Sequence, residues 1–304
     1  YHTGCSWVLN KKGGIVMAKL MKGKDVADRL SAVTVRKSRE LSERGTKPTL
    51  AIVRLGMKPE DGAYERSALR RAAMTGISVQ TLGFDEDISQ NELIDEIKKL
   101  NEDEHVHGVL LLRPLPPHMD DRTVCEALAP EKDVDGITSG SMAGVFMGTD
   151  MGFPPCTAEA CMEILRYYDV DPAGKKVTVM GRSLVIGRPV AMMAMQAGAT
   201  VTICHSGTGT DDFVSAGRDA DIVIAAVGRS GFIGKDKLGS DQVIIDVGIN
   251  QSDEGGLCGD VDFDEAEKNA SMITPVPGGV GNVTSAVLMK HVAEAAEKAA
   301  GMIL

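Results

Sequence analysis

Aromatic side chains are scarce in this chain: Phe, Tyr and Trp together make up 4% of 304 residues, with a single Trp. The core is therefore expected to be built from Val, Ile, Leu, Ala and Met. Basic residues are in deficit, 33 Lys and Arg against 43 Asp and Glu, for a formal charge of −10. That balance argues against nucleic acid as a partner, because a phosphate backbone calls for a basic face. No apolar run approaches the roughly 20 residues that span a bilayer, so no membrane association is expected. None of the six cysteines stands in a C-x-x-C pair. Scattered thiols in a chain of this length imply a reducing compartment, and hence a cytoplasmic protein. Cys156 and Cys161 lack the spacing and the nearby histidines of a zinc site, so no metal is expected.

What is present begins with length: 304 residues suffice for two domains. Residues 1–16 show no clear period, and Met17 looks like a natural start preceded by Lys12-Gly13-Gly14. They are read as a non-native or disordered extension and not as a signal peptide. From Met21 onward, helical and strand patterns alternate. Thr49–Val53, Ile77–Leu82 and His107–Leu112 are short apolar runs that fit strands buried on both faces. Between them lie helical segments, one opening on Ser89 with Glu92 three residues later, a capping box. Alternation of this kind implies a parallel sheet. The Gly-, Ser- and Met-rich segment 133–156 has weak periodicity and reads as a linker and cleft wall. The second half repeats the alternation as a doubly wound unit, with strands at 177–180, 200–204, 221–226 and 242–247 and helices at 187–196, 211–216 and around 235–238. A last helix is expected over 286–300, after the glycine-rich stretch Pro277–Gly281.

The most informative local stretch is "KVTVMGRSLVIGRP", residues 176–189. An apolar strand ends at Gly181, turns, and enters a helix at Gly187. Such a joint places free backbone N–H groups and the positive end of a helix beside the turn, which suits a dinucleotide phosphate. The spacing alone also suits a plain tight strand–helix joint. The next strand sharpens the reading. It ends Cys204-His205-Ser206-Gly207, without the acid that accepts from a ribose 2′-hydroxyl in NAD sites. Arg182 can offer a guanidinium fork and Ser206 a hydroxyl, which favours NADP over NAD. Val227-Gly228 and Gly248-Ile249 break two further strands where a cofactor would lie.

Several stretches together resemble the methylenetetrahydrofolate dehydrogenase/cyclohydrolase family. In the second half these are "GRSLVIGRP", "AAVGRSGFI", "IDVGIN", "GDVDF" and "TPVPGGVGNVT"; before them come "RPLPPH", "PEKDVDG" and "PPCTAEA". The resemblance runs from about Met17 to the C-terminus. It implies an α/β fold of two domains with a deep cleft between them. Residues 17–156 would form the folate-binding catalytic domain, 157–282 an NADP-binding Rossmann-like domain, and 283–304 a helix returning to the first. It implies hydride transfer from 5,10-methylenetetrahydrofolate to NADP, then addition of water to the methenyl product at the same folate site. It also implies a homodimer. Carried over by motif, Tyr64 and Asp135 are the catalytic and folate-binding residues, and Pro277, Gly278 and Gly279 close over the folate. The cofactor set is Gly181, Arg182, Ser183, Gly187, His205, Ser206, Val227, Gly228 and Ile249.

One departure stands out. The family pattern Tyr-x-x-x-Lys reads Tyr64-Glu65-Arg66-Ser67-Ala68 here, and the family's partner glutamine is replaced by Leu112. Neither Ala68 nor Leu112 carries a proton to trade, and an arginine cannot act as a base at neutral pH. The expectation from this departure is a working dehydrogenase with weak or absent cyclohydrolase activity. The alternatives are a fully bifunctional enzyme, another two-domain nicotinamide oxidoreductase, and a non-catalytic folate- or nucleotide-binding protein.

Overall fold

A computed structural model describes residues 17–56, 59–252 and 255–302. The expected extension 1–16 lies outside the described residues. In chain order the elements are β1 (Lys19–Leu20), α1 (Gly23–Glu43), β2 (Thr49–Leu55), α2 (Pro59–Thr75), β3 (Ser78–Phe84), α3 (Gln90–Glu102), β4 (Gly108–Leu111), α4 (Asp121–Glu126), α5 (Ser139–Met147) and α6 (Cys156–Tyr167). The second half adds β5 (Lys176–Met180), α7 (Gly187–Gln196), β6 (Thr200–Cys204), α8 (Thr210–Arg218), β7 (Ile222–Ala225), β8 (Val243–Asp246), β9 (Asn250–Gln251), β10 (Leu257–Cys258), α9 (Phe263–Ala266), β11 (Met272–Ile273) and α10 (Val280–Ala299).

Two parallel sheets result. The first has the order β3-β2-β4, with Ile52 facing Thr81 on one side and Leu110 on the other. The second has six strands in the order β1-β11-β8-β7-β5-β6, in which Val179 pairs with Ile203 and Ile224. Central strands of both are apolar on both faces, as sheets covered by helices require. β9 and β10 form a small antiparallel ribbon.

Four expectations need correction. Residues 17–22 do not all belong to the first unit: Lys19 and Leu20 pair with Met272 and Ile273 at the edge of the second sheet. Two-residue strands carry too little alternation to be read from sequence. The last helix begins at Val280, not at 283 or 286, because Gly279 permits the turn directly into it. The segment 235–238 yields only a 3₁₀ turn at Lys235–Lys237. The linker 133–156 contains α5, capped by the Thr138 side chain on Ser141 N and stopped by left-handed Gly148. Met142, Val145 and Phe146 share one face, but the Ser, Gly and Ala around them give too little polar contrast for the stripe to be detected.

On α1 the buried stripe is Val26, Ala27, Ser31, Thr34, Ser38 and Leu41, while Val33 and Val35 are exposed. The hydroxyls of Ser31 and Thr34 fold back onto Ala27 O at 2.6 Å and Leu30 O at 3.0 Å. With small side chains and two of its three hydroxyls satisfied within the helix, that face packs closely on α10.

Candidate active site

The site grows from three elements of the first unit. α2 presents Tyr64 and, one turn later on the same face, Ala68. β4 runs into Leu112 and the Arg113–Pro114 turn, a cis peptide. The loop 133–136 contributes two acids with different tasks. Asp133 is fully buried, and its carboxylate accepts from Ile137 N at 2.9 Å, Thr138 N at 2.8 Å and Ser141 Oγ at 2.6 Å. That fixes the loop and turns Asp135 toward the cleft. Tyr64 Oη donates to Asp135 Oδ1 across 3.4 Å.

Tyr64, Leu112 and Asp135 line one cavity of about 1270 Å³. From the other side it is walled by Leu184, Val185 and Arg188, on the turn and first helix of the second unit. Leu184 and Val185 are 56% and 53% exposed, and Phe146 of α5 is 70% exposed. Large apolar side chains bared around one cavity mark a ligand surface. Burial pushes the Asp135 carboxyl up to about 6; the Cys156 thiol pulls it down, Asp133 pushes it up, and His291 and Tyr64 pull it down. Burial, with the Asp135 charge, raises the Tyr64 phenol well above its ordinary value. Ala68 is fully buried and Leu112 is nearly so, and both belong to one apolar cluster, so the wall beside Tyr64 is apolar.

The Gly181–Gly187 turn is as tight as its sequence suggests. Gly181 has φ +145°, and a Cβ there would meet Ala226 O at 2.3 Å. A Cβ on Gly187 would meet Gly181 O at 2.3 Å, so α7 starts directly against the turn. Ser183, exposed, folds back along the turn: its Oγ accepts from Ile186 N at 3.3 Å, and its carbonyl accepts from Arg188 N at 3.0 Å. Arg182 and Ser206 are exposed at the ends of β5 and β6. His205 Nδ1 accepts from Gly207 N at 3.0 Å, which shapes the loop after β6. Ile249 is 66% exposed beyond β8. These positions ring the carboxyl ends of the second sheet, where such folds bind dinucleotides. They do not line the large cavity; nor do Pro277, Gly278 and Gly279. That loop is tied to the start of α1, where Gly23 N donates to Gly278 O at 2.8 Å.

Two acids on this face escape a reading by motif. Asp260, fully buried, accepts from Val227 N at 2.6 Å, Gly228 N at 2.9 Å, Arg229 N at 2.8 Å and Asn250 Nδ2 at 2.9 Å. Asp246 accepts from Gly248 N, Asp260 N and Val261 N at 2.9 to 3.0 Å. Together they pin the loops that carry Val227, Gly228 and Ile249. A Cβ on Gly259 would fall on the Asp246 carboxylate, and one on Gly248 would crowd Asp260. An acid beside each glycine in "IDVGIN" and "GDVDF" is the sequence signal for this anchoring. Among the described residues, no group of three or more His, Cys, Asp or Glu is placed to hold a metal ion.

Comparison with known proteins decides the family. Residues 21–135 match the tetrahydrofolate dehydrogenase/cyclohydrolase catalytic domain, and residues 155–300 match its NAD(P)-binding domain. The chain belongs to the tetrahydrofolate dehydrogenase/cyclohydrolase family. A relative named bifunctional protein FolD, from Clostridioides difficile, is 47% identical over 277 residues, covering 91% of this chain and 96% of the relative. A crystal structure of the bifunctional FolD dehydrogenase/cyclohydrolase of Campylobacter jejuni superposes with a TM-score of 0.89 at 36% identity, covering 92% and 99% of the two chains. The Trypanosoma brucei enzyme, solved with NADP and an inhibitor, gives 0.88 at 33% identity, covering 94% and 99%. Membership of this family makes the α/β fold with its Rossmann-like second unit the framework of a folate enzyme.

Proposed function

We propose that the chain is a bifunctional enzyme that oxidises 5,10-methylenetetrahydrofolate with NADP and hydrolyses the methenyl product in the same cleft. The observation that carries this is the Tyr64–Asp135 pair on a cavity whose opposite wall is the turn at the head of the second sheet. The relatives' names favour both activities over the dehydrogenase-only reading drawn from Ala68 and Leu112. NADP is supported by the exposed Arg182 and Ser206 and by the lack of an acid at the end of β6. The exposed Ile249 offers an apolar rest for a flat ring. When bound, the nicotinamide supplies an acceptor for hydride.

The chain's own residues do the rest. Asp135 accepts hydrogen bonds from the pterin and Tyr64 holds that carboxylate in place. Leu112, Leu184 and Val185 keep bulk water off the reacting carbon during oxidation. Hydrolysis needs a group that accepts a proton from water near working pH. With Ala68 and Leu112 unable to do so, Asp135, whose carboxyl lies at about 6, is the wall residue that fits. The second reading, oxidation without hydrolysis, rests on the same apolar pair.

Rates of NADP reduction with methylenetetrahydrofolate and of methenyltetrahydrofolate hydrolysis by the purified chain separate these readings. Comparable rates are expected. Hydrolysis no faster than the uncatalysed reaction would leave the dehydrogenase alone, and silence in both assays would overturn the folate reading. A homodimer in the cytoplasm completes the proposal. The outer edge of β3 has no strand partner among the described residues, and the five described cysteines are free thiols. Sedimentation of the purified chain reads the former.

A further inference from the structure

Behind Asp135 lies a chain of buried titratable groups that the reaction sketched above does not use. His291, on the inner face of α10, is 1% exposed. Its Nδ1 is 2.8 Å from Val134 O, and its Nε2 is 2.7 Å from Glu159 Oε2 on α6. A carbonyl can only accept, so Nδ1 carries a proton. The Glu159 carboxylate is also held by the Lys290 ammonium, which in turn reaches Glu163 Oε1 at 3.0 Å. A carboxylate already paired with an ammonium is not the one to hold the shared proton, so Nε2 carries it and the ring is a cation. Burial alone would make the ring harder to protonate, but Glu159 and the Val134 carbonyl outweigh it and the net shift is upward. The Cys156 thiol bridges the remaining gap. Its Sγ donates to Val134 O at 3.2 Å and lies 3.7 Å from His291 Nδ1, and the thiol faces the Asp135 carboxylate.

We propose that His291 is a positioning residue: a buried imidazolium, locked by Glu159, that keeps Asp135 ionised in the apolar cleft and so supplies from behind the positive charge missing at Ala68. The groups facing this centre are Cys156, Glu159 and Glu163 from α6, Asp133 and Asp135 from the loop, Tyr64 from α2, Arg113 beyond β4, and Lys290 and Glu294 from its own helix. Two of the acids, Glu159 and Glu163, are matched by two cations, Lys290 between them and Arg166 on Glu163. Asp133 is matched by backbone N–H groups and the Ser141 hydroxyl. Arg113 also acts on Asp135 from the cavity side, but its guanidinium is paired with Asp121, so the imidazolium is the cation that acts from behind. Its role rests on the folate reading of the cleft, but its charge does not.

Two measurements on the full chain test it. Long-range ¹H–¹⁵N spectra of the unliganded protein should show both His291 nitrogens protonated at about pH 7. A neutral ring would overturn the proposal. The ¹³C titration of the Asp135 carboxyl should then move upward by about half a pH unit or more in His291→Asn, which keeps hydrogen-bond donors but not the charge. Glu159→Gln, by releasing the ring's proton, should move it the same way and serves where His291→Asn does not fold. An unmoved midpoint in a folded variant would overturn the role. If the folate reading holds, the acid limb of the kcat/KM profile follows the same shift while NADP affinity stays put. Failure of wild-type folate turnover would strike only that reading, because neither spectrum depends on substrate.

Discussion

A carboxylate kept ionised in an apolar cleft works against the fold that contains it. Asp135 has its carboxyl raised from 3.8 to about 6, chiefly by burial. A raised carboxyl means that the native state binds this proton more tightly than the unfolded chain does. Its contribution to stability therefore grows as the pH falls from about 6 toward 4, and the penalty stands in full above about 6. One pKa unit corresponds to about 1.4 kcal/mol, and the group is only part-buried, so the penalty is on the order of 2 kcal/mol. Asp135→Asn removes the charge and keeps a polar group of the same shape. It is expected to raise the thermal midpoint at about pH 7.5 by several degrees and to abolish folate turnover. The gain should vanish near pH 4, where the Asp135 carboxyl is protonated in the native state. Thermal unfolding at the two pH values checks this; an equal midpoint at the higher pH would show that the carboxylate is well solvated.

A strand end carries chemistry only if the loop that leaves it is held still, and here buried acids do the holding. Asp260 receives three consecutive backbone N–H groups, from Val227, Gly228 and Arg229. Asp260→Ala would strand all three, at a cost of about 3 kcal/mol or more. The same change should raise the KM for NADP several-fold and leave folate affinity nearly untouched. A urea titration and the two KM values read this out, and a selective loss of folate affinity would contradict it. How much of this was legible differs by element. The Gly181 turn, the capped start of α3 at Ser89 and the long strands were readable, because dihedral demands and burial on both faces leave local marks. Motif spacing drew attention to Tyr64, Leu112 and Asp135, and the structure sets the three on one cavity. The short edge pair β1 and β11 was not readable, since two residues have no period. Nor was the polar stripe of α1, where close packing on α10 selects Ser and Thr over the exposed Val33 and Val35. The charges behind Asp135 were hidden for another reason: Glu159 and His291 are 132 residues apart in the chain and meet only when α10 lands on α6.

Two sheets do not here mean two independent folding units. One apolar cluster contains Leu50, Ile52 and Leu110 of the first sheet together with Val177, Val179, Ile222 and Ile224 of the second. The join is α6, buried along nearly its whole length, and α10, which packs on α1, α2 and α6. On α10, Val283, Val287, Leu288, Met289 and Val292 are fully buried. Burying each such side chain stabilises the fold by about 1.5–3 kcal/mol, so the helix contributes on the order of 10 kcal/mol, comparable with the whole stability of a typical domain. Chains with two sheets often unfold in steps, but a core that crosses the boundary ties the steps together. The full chain is therefore expected to unfold in one calorimetric transition. NADP, taken up by the NAD(P)-binding domain, should raise that transition as a whole and not split it. A chain ending at Gly279 should lose cooperative unfolding and bind a dye for exposed apolar surface. Two resolved transitions in the intact protein, with only the later one moved by NADP, would show that the second sheet stands alone and that α10 merely covers the first.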